Sequence, residues 1–199
     1  MKRPFTSILL ILIALIQSGI AQTTERLSYE VTLMGKKIGN TIVEKTLKED
    51  GSIEYRLSNS TEAKVLMVHK KSNIYSTALY KNGVMLNSFC TAENEEGKKK
   101  TVYIKNGDGY DMTLDNKKIR IKRVINHSSL MLYFMEPQNL ANIFSERLGT
   151  FFYLEKVGKH EYLSIVNNVT SYYRYLDGRL NELEMSRPLG SIFLRLVQN

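Results

Sequence analysis

Arg26 to Met34 reads RLSYEVTLM, and its rhythm sets the expectation for the whole chain. Leu27, Tyr29, Val31 and Leu33 alternate with Ser28, Glu30 and Thr32. Successive side chains of a strand point to opposite faces, so a period of two puts the apolar groups on one side and the polar ones on the other. The same alternation returns with Ile53, Tyr55 and Leu57 in SIEYRLS, Ile119 and Ile121 in KKIRIKR, and Ile192, Leu194 and Leu196 in GSIFLRLV. Turn formers stand between such runs: EDG from Glu49, KNG from Lys81, EEG from Glu95, NGDG from Asn106, LDN from Leu114 and LDG from Leu176. Asn-Gly and Asp-Gly pairs adopt positive φ at little cost and so close tight hairpins. The expected fold is mainly β, a single curved antiparallel sheet or half-barrel of about ten to twelve strands in a meander. No linker, low-complexity tract or repeat of fixed period divides it, so residues 22–199 read as a single β-rich domain.

The N-terminus is of another kind. Lys2 and Arg3 precede an apolar run from Ile8 to Ile16, and small residues follow at Gly19 and Ala21. This is the composition of a cleavable signal peptide over residues 1–21, with the cut between Ala21 and Gln22. The run is shorter than the roughly 20 apolar residues that span a bilayer, and no cysteine stands near the cut to carry a lipid. A periplasmic or secreted protein is expected, not a lipoprotein, with no stable membrane span after cleavage. The formal charge of +8 falls by two with Lys2 and Arg3, and basic residues gather in EEGKKK and KKIRIKR. In an exported protein such lysines read as a solvated face that resists aggregation, and no nucleic-acid partner is expected. Cys90 is the only cysteine, which excludes an internal disulfide and suits a small buried hydrophobe.

One block breaks the alternation. HSSLMLYFMEPQ, His127 to Gln138, carries an unbroken apolar and aromatic run from Leu130 to Met135. Ser128 and Ser129 suit helix N-caps, and Pro137 disfavours helical backbone at Glu136. Beyond it, Leu140, Ile143, Phe144 and Leu148 recur at helical spacing before Gly149. One or two short helices over about residues 128–148 are therefore expected to cover the concave face of the sheet. Leu130, Tyr133 and Phe134 share a helical face by their i, i+3 and i+4 spacing. That face is expected to meet the inward residues Tyr55, Leu57 and Tyr75. These six are the candidate ligand-binding residues if the concave space is a cavity, and ordinary core if it is filled.

Catalytic chemistry leaves no comparable mark. His69, His127 and His160 lie far apart in sequence, and zinc spacing with cysteine is impossible with Cys90 alone. The nucleophile elbow, the phosphate-binding loop and the dinucleotide fingerprint are all missing from the sequence. Glu93, Glu95 and Glu96 fall in a turn, where solvation leaves carboxylates ordinary. His127 beside Ser128 and Ser129 lacks a third orienting group. No catalytic residue, no metal site and no cofactor is expected. The SYYRYLDG segment sets Tyr173 and Tyr175 on one strand face and Tyr172 and Arg174 on the other; sheet packing is the plainer use of such a face than stacking on a sugar.

The signal peptide, LMGKKIGN from Leu33, LYFMEP from Leu132 and MSRPLGSIFLRLV from Met185 together resemble exported Gram-negative proteins grouped only as domains of unknown function. That family is similar in turn to the curved half-barrels of periplasmic lipoprotein carriers, a likeness that implies an apolar cavity and a hydrophobic ligand. The expected function is a non-catalytic binding or carrier module for an apolar, lipid-like or amphiphilic ligand. The alternative is a structural or envelope-assembly partner without a small ligand, distinguished by a side-chain-filled interior and an exposed apolar patch. A transmembrane barrel and an enzyme of unrecognised type stand behind these. Against the barrel are the dense lysines, the helical block and the polar VQN end.

Overall fold

The computed structural model describes residues 21–65, 68–140, 142–187 and 190–197, so the expected signal peptide lies, apart from Ala21, outside the described residues. The first eight strands run as β1 (Thr23–Leu33), β2 (Lys36–Leu47), β3 (Ile53–Val65), β4 (Val68–Lys81), β5 (Val84–Asn94), β6 (Gly97–Asn106), β7 (Gly109–Leu114) and β8 (Lys117–Ile121). After a single 3-10 turn at Ser129–Tyr133 come β9 (Asn142–Ser145), β10 (Thr150–Tyr153), β11 (Glu155–Gly158) and β12 (Glu161–Val166). The last three are β13 (Val169–Leu176), β14 (Arg179–Met185) and β15 (Ile192–Leu196). Thirteen of these strands form one antiparallel sheet, ordered β11-β12-β13-β14-β15-β1-β2-β3-β4-β5-β6-β7-β8, and β9 pairs with β10 in a second, two-stranded sheet, with a parallel bridge from Phe144 to Ser128. The chain thus makes a meander up to β8, crosses over the sheet, and returns as a second meander that is joined to the first by β1 and β15. That junction matches the two most regular alternating runs, with Val31 opposite Leu194 and Tyr29 opposite Leu196.

Each turn former quoted above lies at a hairpin. Asn82 and Gly83, Asn116, and Asp177 and Gly178 all have the positive φ that tight connections between right-twisted strands require. At Gly39 the reason for glycine is space. A Cβ there would stand 2.0 Å from the Ser60 carbonyl oxygen of the neighbouring strand.

The register carries one continuous inner face across the sheet. It passes from Tyr162 through Tyr173, Leu183 and Leu194 to Val31 along successive pairings and, four residues back on β1, from Leu27 through Val43, Leu57, Ser76, Cys90 and Thr101 to Leu114. Tyr162 on β12 and Val43 on β2 belong to the same buried cluster. Five strand spacings separate them, about 24 Å on a flat sheet, so the sheet must curl around what it covers. The edges β8 and β11 do not pair with each other, and the sheet stays open.

Two apolar clusters fill the concave side. One gathers around Tyr29, Val31, Leu132, Ile143, Tyr175 and Leu183, the other around Tyr55, Tyr80, Met85, Tyr103, Tyr110 and Phe144. Three buried tyrosines place their hydroxyls on backbone carbonyls: Tyr29 donates to Leu180 at 2.7 Å, Tyr110 to Met85 at 2.7 Å and Tyr103 to Glu146 at 2.9 Å, whereas the buried hydroxyls of Tyr80 and Tyr175 have no partner among the described residues. Cys90 is buried, and Tyr173 and Tyr175 pack inward on β13.

Two expectations are corrected here. The sheet has thirteen strands, with β9 and β10 apart from it, instead of ten to twelve in all. Short strands without long alternation, such as β11 with its sequence EKVG, carry too little pattern to count. Of the one or two short helices expected over about 128–148, the described residues hold one five-residue 3-10 turn, Ser129–Tyr133. The apolar run makes only the 3-10 turn, which Glu136 before Pro137 cannot extend. Ser128 makes no side-chain capping hydrogen bond there. Downstream, Ile143 and Phe144 are at helical spacing from Leu140 yet form β9, because Thr150–Tyr153 supplies a β-prone partner and Gly149, at φ +69°, closes the hairpin.

Candidate functional site

The structure brings five of the six candidate ligand-binding residues together and separates the sixth. Phe134 lies 5.8 Å from the ring of Tyr55 and packs, like Leu57, against both clusters. Leu130 is buried in the second cluster, while Tyr133 turns to the first, edge-on to Tyr29 at 5.4 Å. Tyr75 is on the other face of β4: Ser76 and Ala78 share the inner face with Leu57 and Tyr55, so their neighbour points outward. It is exposed, and its ring stands 6.3 Å from that of Phe89. The five inward residues belong to or pack against the two apolar clusters.

Behind Leu130 lies a fully buried carboxylate, Glu146, just after β9. Ser129 Oγ donates to its Oε2 at 2.5 Å, and the Leu130 N–H in the first turn of the 3-10 segment points at Oε1 from 3.4 Å. The glutamate thus takes the place that the sequence reading gave to the serine caps. Burial pushes the Glu146 carboxyl above its ordinary range, and the hydrogen bonds offset this only in part. Such a group suits acid chemistry elsewhere, but at 1% exposure Glu146 is closed to any substrate and instead ties the β9–β10 hairpin to the turn.

An accessible site lies at the rim, where the chain leaves the turn. Glu136 comes after Phe134 and Met135 beyond the turn, with its side chain 5% exposed. Tyr162 Oη donates to Glu136 Oε1 at 2.7 Å, and His160 Nδ1 stands 2.8 Å from Oε2. Burial alone would raise the Glu136 carboxyl; the hydrogen bonds from His160 and Tyr162 outweigh it and hold the group below its ordinary value. In turn, burial and the bond to Glu136 push the Tyr162 phenol up to about 12. His160 is fixed by its own backbone, at φ +59° in the β11–β12 turn, with its carbonyl accepting from the Tyr175 N–H at 2.9 Å. Between this triad and the edge of the sheet opens a groove of about 570 Å³. Pro137, Leu140, Tyr153 and Leu154 give it apolar walls, and Lys156 and Lys159 stand beside His160. A smaller recess of about 250 Å³ lies across the sheet, among Cys90, Thr101, Leu114 and Arg147.

Residues 29–197 match the family described as a domain of unknown function, DUF6134. The chain belongs to the DUF6134 family. No curated protein matches it. Among solved structures it is similar to the beta-barrel-like protein of domain of unknown function DUF1849 from Brucella abortus, at 9% identity and a TM-score of 0.57. The match covers 87% of this chain and 95% of that one. At such identity the likeness concerns fold, and it agrees with an uncharacterised, β-rich, barrel-like architecture.

In this DUF6134 domain, reading the sequence missed both Glu136 and Glu146 as site residues. Glu136 stood inside the quoted block, but its partner His160 is 24 residues away, and no local spacing announces such a pair. Glu146 sat in a segment read as helix, where a glutamate is ordinary surface. Among the described residues, no group of three or more His, Cys, Asp and Glu could hold a metal ion. None of the described helices is long and apolar enough to cross a membrane.

Proposed function

We propose that this DUF6134 chain is an exported, non-catalytic binding module that takes an amphiphilic ligand at the rim of a filled β-fold. The observation that carries the reading is the groove beside Glu136, which sets apolar walls next to charged side chains at the accessible end of an otherwise packed interior. Export rests on the N-terminal sequence, and mass analysis of the exported protein is expected to give Gln22 as its first residue; intact Met1 would overturn that part.

The test of binding is native mass spectrometry, with lipid extraction, of protein purified from its own envelope. One reproducible amphiphile per chain is the expected result. The filled interior also favours a second reading, an envelope-assembly partner without a small ligand. A co-purifying protein with no small molecule would replace the first reading by the second.

A further inference from the structure

We propose that the rim groove is an anion site, in which Lys156 and Lys159 hold the carboxylate or phosphate head of an amphiphile whose apolar part rests on Leu140, Tyr153 and Leu154. This rests on the reading above and names the ligand class. Two acids on the elements around the groove are engaged elsewhere. Glu136 is held by His160 and Tyr162, and Glu161 by Arg174 at 2.9 Å. Glu155 neighbours Lys156 in β11, and strand alternation directs it to the opposite face. Both ammonium groups are therefore left for a ligand, at the mouth of a recess whose single acid, Glu136, is buried and spoken for.

The apolar walls come from different elements. Leu154 is buried between β10 and β11, Leu140 precedes β9, and Tyr153 is 59% exposed at the end of β10. A tyrosine so exposed on an edge beside a recess offers an aromatic surface that the fold itself does not use. A hydrocarbon lying along Leu140 and Tyr153, over Leu154 at the floor of the groove, would reach the lysines with its head, and a free inorganic anion would meet the lysines alone. Head and chain together distinguish a lipid-like source from a phosphate ion.

The experiment is isothermal titration of the mature chain with dodecanoate, dodecyl phosphate, inorganic phosphate and the uncharged dodecyl maltoside, each below its micelle concentration. The variants are Lys156→Gln/Lys159→Gln and, as a control of equal charge change, Lys117→Gln/Lys118→Gln on the exposed edge strand β8. Dodecanoate or dodecyl phosphate is expected to bind one per chain, about tenfold or more weaker in the groove variant and unchanged in the control. Equal loss in both variants, or no loss in the groove variant, would overturn the site. Inorganic phosphate binding as well as dodecyl phosphate would overturn the amphiphile. If dodecyl maltoside binds as tightly as the anions, the anion site fails while the binding module stands. If none of the four binds and the envelope protein carries no small molecule, both readings fail.

Discussion

Phe134→Ala tests whether the concave face is filled. Phe134 closes the 3-10 turn and packs against both apolar clusters, with Tyr55 at 5.8 Å, so its ring joins the two halves of the core. Full truncation of a buried phenylalanine costs about 3 to 5 kcal/mol, transfer and cavity contributions together. Phe134 is only partly buried, which reduces the transfer part and leaves about 3 kcal/mol. In a chain of this size that corresponds to a fall in Tm of about 6 to 12 °C. Urea unfolding followed by tyrosine fluorescence suits a chain with 12 Tyr and no Trp. The midpoint should drop with the slope unchanged, since the surface exposed on unfolding is nearly the same. Wild type should not take a fluorescent fatty acid into its interior. A loss below about 1 kcal/mol, together with interior uptake of that probe by wild type, would refute the filled core and restore the enclosed carrier.

Glu146 gives a prediction with the opposite sign of pH dependence from Glu136. Its folded pKa is raised, so its contribution is fully present below the ordinary glutamate value of 4.5 and is lost as pH rises through the folded value. Glu146→Gln should flatten that decline in a pH series of urea midpoints, whereas Glu146→Ala, which leaves Ser129 and Leu130 N–H without their acceptor, should cost about 1 to 3 kcal/mol; equal behaviour of the two variants would count against the clamp. Glu136 has a lowered folded pKa, so its contribution is present above 4.5 and fades as pH falls through the folded value. Glu136→Gln should remove that acid-side loss, and an unchanged acid limb would contradict the triad. Gly39→Ala should destabilise by about 2 kcal/mol or more, since the new Cβ meets backbone at Ser60 and the strand must shift; a neutral result by thermal melt would show that β2 and β3 can separate there without loss.

The sequence by itself determined the strand faces. Alternation in RLSYEVTLM, SIEYRLS and GSIFLRLV assigns Tyr29, Tyr55 and Leu194 to the buried side, because a period of two allows only that partition once one face is covered. The hairpin positions were legible too, from Asn-Gly and Asp-Gly pairs whose backbone tolerates positive φ. What tertiary structure decided lies where local signals compete. Leu140, Ile143, Phe144 and Leu148 fit a helix as well as a strand, and only a partner strand at Thr150–Tyr153 chose between them. Tyr75 was one residue out of phase with the inner face, a distinction that depends on the register of β3 against β4. The rim site depends on contacts between residues distant in sequence: Glu136 meets His160 and Tyr162 because the crossover after the 3-10 turn lands beside the β11–β12 turn. Such pairs have no period to betray them. They follow from how the two meanders curl over one core, which is a property of the packed sheet and not of any segment within it.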